Sequence, residues 1–265
     1  KPDGRDMSVS DLPFNWDAGL DVRQLRVGII QESFDSLTND DAKANAVKTL
    51  ETLRSIGVSS FVPMTIPEFE TNLSSLGVES AAYFDHMRRT GRMVGSRGVG
   101  RANAWLTPAV EYLQSQRVRM MMMMKLEEAT RDLDVYIVAS NNTGGTPSGE
   151  GRGRGGPGGG GRGRAGAAGG GRGEGAGRGA AGGGRGRGGP GGGGGNPAQR
   201  HSTMANLACY PALNLPNGFA SNGQPTNVTL FARPFGEAAL IALGKAYQDA
   251  AGFHLMRPPK LDTLG

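Results

Sequence analysis

Cysteine and histidine are scarce in this chain, and their scarcity removes whole classes of chemistry. A single cysteine, Cys209, excludes an internal disulfide and any cysteine-based zinc site. The three histidines, His86, His201 and His254, lie far apart and show no metal-ligand spacing. No apolar run reaches the roughly 18 residues that a membrane-crossing helix needs, so no membrane partner is expected. The chain opens Lys1-Pro2-Asp3 instead of with methionine, so a missing signal peptide says nothing about compartment, and the cytoplasm is only the default.

Acidic balance is also lacking, but only in one place. The 265 residues carry a formal net charge of +5. Between Glu150 and Gly195 stand eight arginines against two glutamates, a surplus of +6, which leaves −1 on the other 219 residues. The basic character therefore belongs to one segment and not to a nucleic-acid-binding face of a globular domain. That segment is also where glycine concentrates, with 31 of the 46 glycines between Gly144 and Gly195. It has no periodicity and almost nothing apolar beyond alanine, so it cannot offset its conformational entropy by burial. The organisation expected is one domain built from 1–149 and 196–265, with 150–195 a disordered Gly/Arg-rich insertion.

What is present elsewhere reads as alternating strands and helices. Arg26 to Ile30 is a short apolar run suited to a buried strand. Thr38-Asn-Asp-Asp41 has the spacing of a capping box, with Thr38 as the cap. Ala46, Val47, Leu50, Leu53 and Ile56 follow at helical spacing, and Gly57 supplies the stop. Val58 to Val62 reads as the next strand, which predicts a crossover on a sheet with parallel pairing. Glu68 to Arg92 is helical with an interruption at Gly77. Pro108 starts a long helix running through Met120–Met124 towards Arg131. Leu133 to Ser140 is the clearest buried strand. After the tract, His201 to Tyr210 reads as a short helix, Ala212 to Leu215 and Asn227 to Ala232 as strands about a turn at Ser221–Pro225, and Glu237 to Ala251 as a closing helix ended by Gly252.

Several stretches resemble one known family in the right order. Asn206-Leu-Ala-Cys-Tyr-Pro-Ala-Leu-Asn-Leu-Pro-Asn-Gly-Phe219, followed by Ala232-Arg-Pro-Phe-Gly-Glu-Ala-Ala-Leu240, resembles the C-terminal signature of the amidase signature family. Pro2-Asp-Gly-Arg-Asp6 and Leu25-Arg-Val-Gly28 are similar to its segments after the catalytic core. Ala109-Val-Glu-Tyr-Leu113 with Arg117 is similar to its Tyr-Leu…Arg helix, and Asp134-Val-Tyr-Ile-Val-Ala-Ser140 stands where the family has Asp-Val-Leu-Leu-Thr-Pro-Thr. The resemblance implies the C-terminal half of an α/β/α layered fold around a mixed central sheet.

It also implies a chemistry. Family members hydrolyse a carboxylic amide through an acyl-serine intermediate, with a relay serine, a lysine kept neutral by burial and no metal or cofactor. Backbone amides of a Gly/Ser-rich loop stabilise the oxyanion. Neither that loop nor its equivalent occurs here, so the catalytic residues are expected upstream of Lys1. The implied partners are a small-molecule amide and the N-terminal half of the same enzyme. Ser96, in Val94-Gly-Ser-Arg-Gly98, has no strand leading into it and reads as a solvated loop serine. Lys43, Lys48, Lys125 and Lys245 fall on helices with polar neighbours and read as solvated.

The resemblance places Gln199, Thr203 and Leu207 on a wall of the substrate pocket. His201 begins the segment that helps line the family's substrate channel, and is read as a pocket residue or an exposed helix-start histidine. Ala139 and Cys209 replace a proline and a glycine of the family pattern. Cys209 is read as a buried, inert thiol, and Met120–Met124 as core with partial exposure.

Two other functions stay open. The amidase subunit of a tRNA-dependent amidotransferase would need ammonia-donor and tRNA-charging partners. A non-catalytic amidase-like protein would use the Arg/Gly tract on RNA. That tract has no aromatic residue to stack on bases, so it would give weak, nonspecific nucleic-acid contact.

Overall fold

The order of elements follows from where the apolar periodicity changes. The computed structural model describes residues 4–5, 11, 14–17, 19–69, 73, 75–92, 104–143 and 196–257, all within a single unit. The Gly/Arg tract and Ser96 lie outside the described residues. Five strands, β1 (Val27–Ile30), β2 (Phe61–Met64), β3 (Val135–Thr143), β4 (Ala212–Phe219) and β5 (Pro225–Phe231), form one sheet in the order β2-β1-β3-β5-β4. β1 pairs in parallel with β2 and β3, while β5 pairs antiparallel with β3 and β4, so the sheet is mixed.

Alternation along each strand sends side chains to two cores. Val27, Ile29, Val135, Ile137, Val228 and Leu230 meet Leu53 of α2 (Asp40–Ser55) and Leu240, Leu243 and Tyr247 of α7 (Glu237–Ala251). Ile30, Tyr136, Val138 and Phe231 face the other way. They pack with Met122 and Leu126 of α5 (Ala109–Thr130) and with Met204 and Leu207 of α6 (Pro197–Leu207). The result is the α/β/α layering implied by the resemblance. Two further short helices, α3 (Ser75–Tyr83) and α4 (Asp85–Arg89), precede α5, and α1 (Gln31–Asp35) follows β1 directly.

A buried polar network ties α2 to the β4–β5 hairpin. The Asn45 Nδ2 donates to Thr226 Oγ1 at 2.9 Å and to the Phe219 carbonyl at 3.2 Å. Thr226 Oγ1 donates to Asn217 Oδ1 at 2.7 Å, and Asn217 Nδ2 donates to Thr49 Oγ1 at 3.1 Å. Every member has a partner, which is the condition for burying polar groups without a large penalty. Between Pro216 and Gly218 the register shifts, and Gly218 takes φ +146 with Asn45 where a Cβ would stand.

The structure corrects several expectations. The α2 cap is Asn39, whose side chain accepts the Ala42 amide at 2.9 Å, and not Thr38. Thr38 is drawn away because its amide donates to Asn141 Oδ1 at 2.8 Å. Asp41 instead accepts the Ser221 amide and hydroxyl, and these bonds hold its carboxyl below the usual range. Val47 is exposed because the buried stripe of α2 runs Ala42, Asn45, Ala46, Thr49, Leu53. Strand β2 forms three residues later than Val58. Gly77 sits inside α3, and the break comes at Phe84. α6 starts at Pro197, capped by Asn196, whose side chain accepts the Ala198 amide. β4 runs on to Phe219 because Pro216 occupies an edge strand, where a missing amide costs no ladder bond.

Candidate functional site

In open sheets of this kind, ligands bind beyond the carboxyl ends of parallel strands where successive connections leave to opposite faces. β1 and β3 are parallel neighbours. β1 continues through α1 to α2 on one face, whereas the chain after β3 returns as α6 on the other. That topology puts the candidate crevice at their carboxyl ends.

The polar groups there are held in place by local structure. Ser33, fully buried on α1, donates to the Ile30 carbonyl at 2.7 Å and accepts the Ala139 amide at 3.0 Å. It takes up that amide where the β3–β5 register shifts after Ala139. Asn141 accepts the Thr38 and Asn39 amides at 2.8 and 3.2 Å and so fixes the loop between α1 and α2. Across the crevice, Arg200 of α6 donates to Glu32 of α1 at 3.1 Å, both side chains mostly withdrawn from solvent. An arginine and a carboxylate in such a setting orient each other and offer a charged edge to a ligand.

α6 runs back along β3 from this end, with Arg200 at the crevice and Tyr210, just past its end, joined to Thr130 at 2.9 Å near the start of β3. Gln199 is exposed at the crevice end, and Thr203 is half-buried one turn further, its hydroxyl donating to the Gln199 carbonyl at 3.0 Å. Leu207 lies another turn along the same stripe. Its side chain is 4% exposed and packs into the α5–α6 core. The structure thus brings Gln199 and Thr203 together near the crevice, while Leu207 stands deeper.

His201 is neither at the pocket surface nor an exposed helix start. It is fully buried, because helix entry at Pro197 turns this position towards the sheet. Its Nε2 shares a hydrogen bond of 2.9 Å with the Tyr136 hydroxyl, and its ring meets Phe231 edge-on. Burial pushes its pKa down to about 3 and that of Tyr136 well up. Nδ1 has no hydrogen-bond partner among the described residues.

Cys209 is also corrected: it is exposed, not buried, and has φ +58. Arg117 is exposed, whereas Arg119 is half-buried and turned inward. The Arg119 Nε donates to the Leu207 carbonyl at 2.7 Å, and its guanidinium lies 3.8 Å from Glu79, which also accepts from Tyr112 and Gln116. The available signal was spacing: Tyr112, Gln116 and Arg119 share a helical face, and Arg117 does not. Ser33, Glu32 and Arg200 carried no sequence motif and were missed.

Lys43, Lys125 and Lys245 are exposed and paired with acids on their own helices, and Lys48 is exposed. None of these four is buried. Among the described residues no group of His, Cys, Asp or Glu could hold a metal ion, and no helix is long and apolar enough to cross a membrane.

No family model matches the chain. Among curated proteins it is similar to the A-subunit of glutamyl-tRNA(Gln) amidotransferase from Chloroflexus aggregans, 49% identical over 53 residues, and to that from Thermodesulfovibrio yellowstonii, 40% identical over 53 residues. Each match covers 20% of this chain and 11% of the relative. Among solved structures it is similar to a bacterial aryl acylamidase of the amidase signature enzymes, with TM-score 0.54 and 12% identity over 90% of this chain and 46% of that one. The fold is that of the amidase signature enzymes. A second neighbour, 6-aminohexanoate cyclic dimer hydrolase, matches with TM-score 0.54 and 13% identity over 96% of this chain and 50% of that one. At these identities the structures carry the fold alone, and the chain spans a small part of its curated relatives and about half of these neighbours.

The φ of +58 at Cys209 lies in the left-handed region that glycine adopts without penalty, which fits the resemblance's expectation of glycine at this position.

Proposed function

We propose that this chain is the C-terminal portion of an amidase that hydrolyses carboxylic amides to acid and ammonia or amine through an acyl-serine intermediate. The serine nucleophile, the relay serine and the neutral lysine are carried by residues preceding Lys1. This portion contributes the strand-end crevice and one pocket wall, with Gln199 and Thr203 towards the substrate and Leu207 backing them. The observation that carries the reading is the β1–β3 switch point, with the Glu32–Arg200 pair across it, in a fold shared with amidase signature enzymes. The amide would be the substrate and the upstream half the obligatory partner.

The test is to read the coding sequence before Lys1 and express the longer product. A Gly/Ser-rich loop with a lysine ahead of it, amide hydrolysis by the longer product, and fluorophosphonate labelling of a serine in that loop are expected. A stop codon directly upstream, or labelling of a serine within 1–265, overturns the proposal.

A second reading, the amidase subunit of a tRNA-dependent amidotransferase, is favoured by the names of the curated relatives. It requires that the longer product release ammonia efficiently only with its partner subunits and charged tRNA. Hydrolysis of free amides by the longer product alone decides for the amidase.

A further inference from the structure

The methionine run of α5 opens a second cleft. Five consecutive methionines pass right around the helix. Met122 enters the core and Met123 packs partly against it, while Met121 and Met124 stay 57% and 64% exposed. Met121, Met123 and Met124, with Phe69, Tyr210 and Pro234, line an open cavity of about 680 Å³. Its walls come from the end of α5, from the turn before β4, from the residues just after β5 and, through Phe69, from the loop after β2. The crevice lies further along β3, where Ala139 meets Ser33, on the order of 13 Å from Val135.

The chemistry of the lining is specific in what it withholds. Lys125 is paired with Glu128 at 3.0 Å and Arg131 with Glu127 at 3.4 Å, so both cations on the rim are neutralised within the rim. The Tyr210 hydroxyl is engaged with Thr130, which leaves its ring as the surface offered. What remains is thioether and aromatic surface, soft, polarisable and able to change shape. The volume lies within the range of small-molecule sites, roughly 300–1,000 Å³. A stable protein partner would instead need about 800 Å² of contact on this side.

We propose that this cleft is a binding site for a neutral, apolar aromatic small molecule, separate from the strand-end crevice and independent of the amidase reading. Ring contacts from the methionine thioethers and from Phe69 and Tyr210 hold the ligand, and no ion pair is recruited.

The test titrates the chain with the neutral fluorophore N-phenyl-1-naphthylamine. Saturable one-to-one binding is expected. Met121→Glu and Met124→Glu should each weaken it at least about tenfold, since either puts a charge against the ring. Val110→Glu, at an exposed position on the first half of α5, should leave it unchanged, as should raising salt from about 0.05 to 0.5 M. All three substitutions are at exposed positions, and circular dichroism verifies their fold. Absence of saturation, equal loss in Val110→Glu, or unchanged affinity in both methionine variants overturns the proposal. Affinity that falls as protein concentration rises would mean that a second copy covers the cleft, and overturns it equally.

Discussion

His201 shows how a single buried group sets a pH limit on the molecule. Its folded pKa of about 3 lies below the ordinary 6.5 because burial disfavours the imidazolium. The unfolded chain takes up a proton below 6.5, and the folded one does not until about 3. The stability contributed by the neutral ring is therefore complete above pH 6.5 and is lost as pH falls towards 3, at about 1.4 kcal/mol per pH unit. Between pH 6.5 and about 4.5 most carboxylates remain ionised, so that window reports chiefly histidine. His201→Gln, which titrates nowhere in this range, should be less stable at pH 7 but show a flatter loss of urea stability from pH 6.5 to 4.5. An unchanged slope would place the titration elsewhere. Cys209 illustrates the reverse case, in which the side chain is tolerated and the backbone bears the cost. A non-glycine residue in the left-handed region costs on the order of 1 kcal/mol, and exposure spares the thiol any further penalty.

At the scale of elements, the β4–β5 hairpin is held to α2 less by apolar contact than by the Asn45–Thr226–Asn217–Thr49 network. Gly218 is the position where that network and the backbone compete for the same space. Its φ of +146 strains any side chain, and an added Cβ would stand 2.7 Å from the Asn45 side chain. Asn45 cannot turn aside without breaking bonds to Thr226 and to the Phe219 carbonyl. Gly218→Ala should therefore cost about 2–4 kcal/mol, combining backbone strain with unsatisfied buried polar groups. Removing the obstruction with Asn45→Ala in the same chain should recover less than the whole loss, because Asn217 and Thr226 keep only part of their network; a double-mutant cycle by urea unfolding measures this, and full recovery would contradict it. Elements with a strong period were legible in the sequence: α7 and its Gly252 stop agree with the expectation to the residue. The β3 core run was equally plain, since Val135 to Val138 is apolar without interruption. Elements bounded by competing side chains were not. Thr38 and Asn39 are both good caps, and only Asn141, 102 residues or more away, decides between them. Edge pairing likewise carried β4 past Leu215, which no local pattern announces.

For the whole molecule, the layered fold was readable because residues resembling a known signature recur in order along the chain. The crevice was less so: Ser33, Glu32 and Arg200 become neighbours only through the sheet. The same distinction governs how the chain meets solvent. The edge strands β2 and β4 carry Pro63 and Pro216, which cannot donate to an added strand, and this blunts edge-to-edge association. Apolar exposure concentrates instead on the helices beside the α5 N-terminus, at Tyr83, Leu106, Val110 and Leu113. Each of these would gain up to about 1.5–3 kcal/mol on full burial, so covering the group together outweighs any single exposed charge pair. The isolated chain should accordingly self-associate through these helices and not through the sheet edges. Sedimentation velocity should show a concentration-dependent rise in mass that Val110→Lys with Leu113→Lys, three residues apart on one helical face, largely removes. Val62→Lys on β2 should leave it intact. A chain that stays monomeric throughout, or one rescued by the β2 change alone, would contradict this and return the liability to the strand edge.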